Sequence, residues 1–428
     1  MNNLKTPEIW LAGLQWMFYI FMNTIVIPLS LGEAFELSAS ETTTLMLSAF
    51  ILTGIASILQ TWLGHGYALM DGQAAIWWGL VLSLCAAAPS IGMSLPEVGG
   101  SLVAGFLISG LITLLLGALG FGKVLIKLFN PVVIGVSLFL ICIQLILLFF
   151  ADMIVWDDQG QLQYLATAVT FIVAIIVGVL QVKGSKLVSS FSLLIGIVGG
   201  WCVYEWIVPA PSISMAESAP LFSLFPWGAL RVDIGIMLTV IVVGLINMAN
   251  SISGINAAEE LYQRKATENN YKRSFMLTGI FSIVAGIFGQ LPFGVYASSI
   301  GFLESTKILK RTALVIGSVM IIALGLLPAV GAFFAQLPIA VGSAVLFIAY
   351  LQMFGTAFRT VQGIRFNSRT IFRLALPILL GVCIMNTDAE VFTSLPVYVQ
   401  PLLSNGLVMG VLVSILLEST VRWSKYEE

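Results

Sequence analysis

Fourteen apolar stretches alternate with short polar gaps along this chain of 428 residues. Most are close to the length of about twenty residues at which an α-helix crosses the hydrocarbon core of a bilayer. The pattern predicts an all-α polytopic membrane protein with about fourteen transmembrane segments. The predicted segments are 10–31, 43–63, 68–88, 97–119, 130–151, 162–182, 187–208, 232–254, 273–290, 293–306, 312–336, 338–358, 369–386 and 400–420.

The third and tenth segments lack a clean apolar run. The third contains polar and small residues at 71–75, and the tenth contains them at 292–301. Non-helical backbone at membrane depth is tolerated only where protein or a water-filled cavity covers it. Both segments are therefore predicted to be interrupted near the middle of the membrane.

The two halves of the chain resemble each other. Segment 5 opens with Pro131–Gly135 and segment 12 with Pro338–Gly342, and the interrupted segments occupy matching places in the halves. Seven segments per repeat is an odd number, so the second copy enters the membrane inverted, as in many secondary transporters. The alternative is chance recurrence of the Pro-x-x-x-Gly pattern in a glycine-rich chain.

Positive charge fixes the predicted orientation. All but one of the 19 Lys and Arg residues, including Lys5, Lys123 and Lys127, fall at the N-terminus, the C-terminus or in every second gap, and only Arg231 falls elsewhere. Because Lys and Arg stay on the cytoplasmic side during insertion, both termini are predicted to be cytoplasmic, in a multi-pass protein of the cell membrane.

Composition excludes several classes of protein. Hydrophobic residues make up 59% of the chain and charged residues 9%, which lipid accommodates and a soluble core does not. The net charge of −2 gives no argument for nucleic acid. The four cysteines lie in apolar segments without a CxxC pair, and neither HExxH nor Gly-x-Ser-x-Gly occurs. We therefore predict no metal, no cofactor and no enzymatic activity.

Asp71 is the one carboxylate near the middle of a predicted segment. A charged side chain there costs roughly 2.5 kcal/mol or more, so an intramembrane carboxylate is a candidate functional group. A carboxylate at this depth suits the role of a proton carrier. The alternative is that segment 3 begins later and that Asp71 lies in a wetted loop mouth.

Polar residues on one helix face mark segment 8. Asn247, Asn250, Ser251 and Gly254 follow the spacing i, i+3, i+4 and i+7. Amides there suit a polar planar ligand, because each offers a donor and an acceptor. The alternative is that they form hydrogen bonds between helices.

Segment 10 offers Tyr296, Ser298 and Ser299, with free backbone N–H groups if the chain is extended before a half-helix. Glu304 is a second acidic candidate for proton coupling, although it lies three residues before Lys307 and the two side chains suit an ion pair.

These motifs resemble the nucleobase/ascorbate transporter family, which includes bacterial uracil and xanthine permeases. The resemblance covers nearly the whole chain. It rests on 15–28 in the first segment, on 105–120 and 129–135 in the fourth and fifth, and on 299–307, which is similar to the signature Asn-x-Gly-x-x-x-x-Thr-(Arg/Lys).

The resemblance implies two inverted repeats of seven segments, with short strands in segments 3 and 10 that meet at the substrate. It implies a core subdomain of residues 1–120 and 232–336 and a gate subdomain of 130–208 and 338–420. It also implies a homodimer in the lipid bilayer, elevator-like movement of the core, and uptake of nucleobases with H⁺ or, in some members, Na⁺.

The chain departs from the family at the site. The family's substrate-binding Glu falls on Asn250, its acidic or amide residue on Ser298 and its usual Asn on Ser299, and a histidine of some uracil permeases falls on Gly254. Tyr296 matches a tyrosine beside the site, and Ala297 falls where a backbone N–H contacts substrate. Both site carboxylates are absent, so the proton route must differ, and Asp71 is the nearest replacement.

We therefore predict a secondary active transporter of a nucleobase-like substrate, of the uracil and xanthine permease class, that is coupled to protons; the sequence does not single out one base. The substrate lies between the two strands. Its predicted contacts are Ala74, Ala75, Asn247, Asn250, Tyr296, Ala297, Ser298 and Ser299. The alternatives are an anion carrier of the same fold, of the sulfate or bicarbonate type, and a membrane sensor that does not transport.

Overall fold

Helices form nearly all the regular structure of this computed structural model, which describes residues 6–121, 128–157, 159–208, 219–396 and 398–426. Lys5, Lys123 and Lys127, on which the predicted orientation draws, lie outside these residues. The helices are α1 (Thr6–Thr24), α2 (Val26–Ala34), α3 (Ala39–Trp62), α4 (Ala75–Ala87), α5 (Leu95–Leu119), α6 (Pro131–Asp152), α7 (Tyr164–Lys183), α8 (Lys186–Ile207), α9 (Ile234–Tyr262), α10 (Glu268–Ile287), α11 (Ser299–Thr306), α12 (Arg311–Gly325), α13 (Pro328–Phe334), α14 (Ile339–Thr360), α15 (Phe372–Met385), α16 (Gln400–Leu403) and α17 (Gly406–Thr420). The strands are β1 (Asp71–Gln73) and β2 (Phe293–Val295), and short 3₁₀ helices cover Ala389–Phe392 and Trp423–Lys425.

The predicted helical membrane fold is confirmed. Within the described ranges, seven helical stretches are long and apolar enough to cross a bilayer, and four shorter apolar helices accompany them. Helices α11 and α12 form a further pair that is bent by 118°. The chain is therefore a multi-pass membrane protein, and the count of fourteen segments stays a prediction.

Two predicted segments are each split into two helices by a proline. The first segment, 10–31, consists of α1 and α2, because Pro28 has no N–H to donate to the carbonyl of Thr24 and its ring crowds that carbonyl. The eleventh, 312–336, consists of α12 and α13, and Pro328 opens α13, where a missing N–H costs nothing.

The chain forms two compact units. The first comprises Met1–Ile58, Leu145–Ser223 and Ser298–Gln352. In it α1 packs along α12, and α7 along α8. A Cβ on Gly317 would lie 2.7 Å from the carbonyl oxygen of Gly13, so glycine is what allows α1 and α12 to approach this closely.

The second unit comprises Leu59–Gln144, Leu224–Ala297 and Met353–Glu428. In it α5 packs against α9 and α10, and α15 packs against α17. A Cβ on Gly279 would lie 2.6 Å from the carbonyl oxygen of Gly110, so α5 and α10 also meet through glycine. The division into units leaves the predicted core and gate subdomains untested.

A buried ion pair joins three helices of the second unit. Arg373 donates from Nε and Nη2 to the two carboxylate oxygens of Glu418, both at 2.8 Å. Asn130 donates to Glu418 Oε2 at 2.6 Å, and its own Oδ1 accepts from the N–H groups of Val132 and Val133 at the start of α6. Glu418 therefore ties the ends of α6 and α15 to α17.

Candidate substrate-binding site

The two strands pair antiparallel inside the second unit. Asp71 lies opposite Val295, Gly72 opposite Gly294 and Gln73 opposite Phe293. Two bonds extend the pairing, from the N–H of Ala74 to the carbonyl of Pro292 at 3.0 Å and from the N–H of Tyr296 to the carbonyl of Met70 at 2.9 Å. All six strand residues are buried. The predicted interruptions of segments 3 and 10 therefore meet in one short ribbon.

Helix α9 closes the outer edge of this ribbon. In an antiparallel pair alternate residues direct their backbone groups away from the partner strand, and here these are Phe293 and Val295. Asn247 donates from Nδ2 to the carbonyl of Phe293 at 2.8 Å, and the N–H of Val295 donates to the hydroxyl of Ser251 at 3.5 Å. A Cβ on Gly254 would lie 3.0 Å from Cγ1 of Val295, so α9 approaches closely. Asn247 and Ser251 thus satisfy a strand edge in the apolar interior.

Two amide oxygens on α9 keep an unused acceptor. Oδ1 of Asn247 and Oδ1 of Asn250 are both buried, and neither has a hydrogen-bond partner among the described residues. Asn247 is 3% exposed and Asn250 is partly exposed. A buried polar atom without a partner is costly, so these oxygens mark a place suited to a ligand that donates hydrogen bonds.

Asp71 and Gln73 lie on one face of the ribbon, because side chains alternate along a strand. Asp71 is 0% exposed and hydrogen-bonds the side chain of Gln60. Asp71 thus lies in a buried strand and not in a solvent-exposed loop, which was the alternative. Gln60 also donates to the carbonyl of Ser274 and to the hydroxyl of Thr278, each at 3.1 Å. A buried polar cluster therefore surrounds the candidate proton carrier.

The opposite face of the ribbon carries Gly72, Ala74 and Gly294. A Cβ on Gly294 would lie 2.7 Å from Oδ1 of Asn247 and 3.2 Å from Cβ of Ala74. Ala74 is the N-cap of α4, which has no side-chain cap, so the first turn beginning at Ala75 leaves backbone N–H groups for other acceptors.

Tyr296 has a structural partner. Its hydroxyl donates to the carbonyl of Gln73 at 2.5 Å, and Gln73 itself donates to Oε1 of Gln290 at 2.6 Å. The predicted contact Ala297 follows it, half-buried. The ribbon thus brings Asp71, Ala74, Asn247 and Tyr296 together.

Ser298, Ser299 and Glu304 belong to the first unit. Ser298 is exposed at the N-cap of α11, and its hydroxyl oxygen lies 2.7 Å from that of Tyr19 on α1. Ser299 is buried, and Glu304 is exposed on α11. Sequence reasoning missed Tyr19, as it missed Gln60 and Gln290. Of the three, only Gln290 carried a local signal, since it directly precedes the interrupted segment 10.

The turn before β1 is held by an aromatic and cationic cluster. The N–H of Tyr67 donates to Nδ1 of His65 at 3.1 Å, and Arg264 lies 4.5 Å over the ring of Tyr67 while donating to the carbonyl of Gly66 at 2.7 Å. Burial, and then the charge of Arg264, lower the pKa of His65 to about 3. His65 is therefore neutral and acts as an acceptor that shapes the approach to β1.

The Permease family model Xan_ur_permease matches residues 7–390. The chain is 27% identical to "Putative purine permease YwdJ" of Bacillus subtilis (strain 168), across 97% of this chain and 96% of that protein. It is 28% identical to the "Xanthine permease" of the same organism, across 95% and 92%. It is 26% identical to "Uric acid transporter UacT" of Escherichia coli (strain K12), across 97% and 86%.

Two solved structures share the fold. The transmembrane domain of the cyanobacterial bicarbonate transporter BicA matches with a TM-score of 0.60 at 15% identity, across 96% of this chain and 98% of that one. Murine Slc26a9, an anion transporter in the inward-facing state, matches with a TM-score of 0.61 at 13% identity, across 99% and 69%. At such identities the likeness shows the fold alone.

Proposed function

Because the chain belongs to the Permease family Xan_ur_permease, we propose that it is a secondary active transporter of a purine- or pyrimidine-like base in the cell membrane. The family is one of permeases, which confirms the prediction that the chain is not an enzyme. The printed names of the relatives, which mention purines, xanthine and uric acid, support a nucleobase-like substrate. The anion carrier is not favoured, since its support is a likeness of fold.

The observation that carries this proposal is the unused amide oxygen of Asn250 beside the ribbon. A nucleobase presents ring N–H donors next to carbonyl acceptors on one planar edge. Oδ1 of Asn250 accepts from a ring N–H, while its Nδ2 and the N–H groups that open α4 at Ala75 donate to carbonyl oxygens. Asn247 holds the ribbon through Nδ2 and offers Oδ1 as a second acceptor.

The family resemblance is what supports four further substrate contacts, namely Tyr296, Ala297, Ser298 and Ser299. Ser298 is exposed and carries a hydroxyl, so it suits a substrate contact. Tyr296 is better suited to hold the ribbon, because its hydroxyl already bonds Gln73.

Asp71 is the proposed proton carrier. It is fully buried and hydrogen-bonds an uncharged side chain, that of Gln60, so binding a proton removes the cost of holding a charge in the protein interior. Glu304 is the second candidate, but its side chain is exposed, whereas that of Asp71 is buried. Na⁺ in place of H⁺ is the alternative coupling ion.

The remaining parts of the proposal rest on the family resemblance. They are an elevator-like movement of a core (1–120 and 232–336) against a gate (130–208 and 338–420), a homodimer, and cytoplasmic termini.

Uptake and counterflow in proteoliposomes test the proposal, with uracil, xanthine, hypoxanthine, urate, sulfate and bicarbonate as the panel. We expect counterflow with at least one base. At a fixed low concentration of that base it should be strongly reduced in Asn250→Ala and unchanged in Asn269→Ala, at an exposed asparagine on α10. Transport of the inorganic anions alone would overturn the proposal. Binding of a base without counterflow would indicate a sensor instead.

A further inference from the structure

Tyr19 brings a hydroxyl group to the start of α11. Its oxygen lies 2.7 Å from Oγ of Ser298, and it also hydrogen-bonds the hydroxyl of Ser299. Tyr19, Ser298 and Ser299 all belong to the first unit. One phenol from α1 is thus bonded to two adjacent serines that the family resemblance predicts to be substrate contacts.

The hydroxyl of Ser298 does not cap the helix that follows it. Ser298 is the N-cap residue of α11, yet its side chain makes no cap hydrogen bond, and its φ of −61° and ψ of −20° are already helical. An N-cap serine usually accepts from a backbone N–H two or three residues on. Here the side chain points to Tyr19 and stays exposed.

Aromatic packing fixes the phenol. The ring of Tyr19 lies 4.7 Å from that of Phe302, tilted by 33°, and its other neighbour is Trp16 at 5.4 Å, edge to face. Trp16 in turn packs 4.6 Å from Phe302 and is 1% exposed. A ring held on two sides delivers its hydroxyl to one place, which is what a specificity contact needs.

We propose that Tyr19 is a specificity-determining residue, whose hydroxyl donates to Ser298 so that the hydrogen of Ser298 faces the substrate. This inference rests on the proposed function, in which Ser298 contacts the base. A phenol is a stronger donor than an aliphatic hydroxyl, and a hydroxyl that accepts one hydrogen bond donates the next more strongly.

The consequence is a preference for an acceptor on the substrate. An acidic residue, which the family resemblance allows at position 298, only accepts hydrogen bonds and repels an anion. The Tyr19–Ser298 pair instead donates a hydrogen bond and carries no charge. The pair therefore suits a base that presents an oxygen or a deprotonated ring nitrogen here. The chemical class is an oxopurine in its anionic form.

Affinities of the purified full-length protein for urate, an anion at pH 8, and for neutral hypoxanthine test this inference. Tyr19→Phe keeps the ring and removes the hydroxyl, and we expect about tenfold weaker urate binding with a much smaller change for hypoxanthine. Ser298→Asp should weaken urate binding further and selectively. Tyr164→Phe, at an exposed tyrosine of the same unit, is the matched control and should change neither.

Equal losses for both bases in Tyr19→Phe, or no loss for urate, would overturn the inference and leave the proposed function standing. Absence of binding by either base to the unsubstituted protein would overturn both.

Discussion

Nδ2 of Asn247 donates to the carbonyl oxygen of Phe293 at 2.8 Å, across the outer edge of a two-stranded ribbon. No third strand pairs with that edge among the described residues. In the apolar interior of a membrane protein an unpaired carbonyl is costly. The amide of Asn247 supplies the hydrogen bond that a neighbouring strand would otherwise donate. The main role of Asn247 is therefore to support the ribbon from α9, and contact with substrate is a secondary candidate role.

Asn247→Leu should destabilise the protein, because it removes the donor and leaves the Phe293 carbonyl buried without a partner. The expected cost is about 1–3 kcal/mol in the free energy of unfolding. Thermal unfolding of the purified protein measures it. Affinity for every base should fall together, and a variant as stable as the parent would show that the bond contributes nothing.

Asn250→Ala should have the opposite profile. Its Oδ1 has no partner among the described residues, so its removal should leave stability within about 0.5 kcal/mol of the parent. Affinity for the transported base should fall about tenfold or more, the value of one lost hydrogen bond in a buried site. Equilibrium binding and thermal unfolding on one preparation separate the effects. A large loss of stability with normal affinity would assign Asn250 to packing.

Asp71→Asn should abolish accumulation driven by a proton gradient while counterflow of substrate continues, because the amide keeps the shape and cannot carry the proton. Gradient-driven uptake and counterflow at pH 6 and pH 8 distinguish the two processes. Glu304→Gln tests the second candidate in the same assays and should retain accumulation; loss of accumulation in that variant would assign the coupling role to Glu304. Full-rate uptake by Asp71→Asn with an unchanged pH dependence would remove Asp71 from the coupling route.

Glu418→Gln should cost several kcal/mol, about 3–5, because it leaves the buried guanidinium of Arg373 without its counter-charge. The side chains of Arg373 and Glu418 are 11% and 7% exposed. Glu97→Gln breaks the ion pair with Arg231, whose side chains are 39% and 49% exposed, and should cost at most about 1 kcal/mol. Chemical denaturation of the two variants in one detergent gives the comparison, and equal losses would contradict it.

His65 makes stability depend on pH. Its pKa is about 3 in the folded protein and 6.5 in a free side chain, so between these values the unfolded state binds a proton that the folded state does not. Stability should therefore fall as the pH falls below about 6.5, by up to about 1.4 kcal/mol per pH unit. His65 is the one histidine in the chain. His65→Gln should flatten the dependence of melting temperature on pH between 6.5 and 5, and an unchanged slope would count against this account.

Local pattern was enough to predict where the membrane segments are interrupted. Glycine and polar residues inside apolar runs at 71–75 and 292–301 indicate non-helical backbone, and β1 and β2 lie there. Pro28 and Pro328 were equally visible, but a hydropathy window averages over a single proline, so the breaks they cause were missed.

Contacts between residues far apart in the sequence could not be predicted from local pattern. Asn247 was expected to bind substrate or another helix, and no periodicity in segment 8 indicates that it pairs with a strand 46 residues away. Tyr19 meets Ser298 across 279 residues, and Gln60 meets Thr278 across 218. Such pairs depend on three-dimensional packing, for which one sequence carries no local signal.

The ribbon has two sides separated by the thickness of one backbone. Asp71 occupies one side, and Ala74 and Asn247 lie at the other. If a proton binds on the first side and a base on the second, the two events act on the same six peptide units. Thermodynamic linkage then makes them reciprocal: whatever factor the proton applies to the affinity for the base, the base must apply to the affinity for the proton. A measured shift in either equilibrium therefore gives the other.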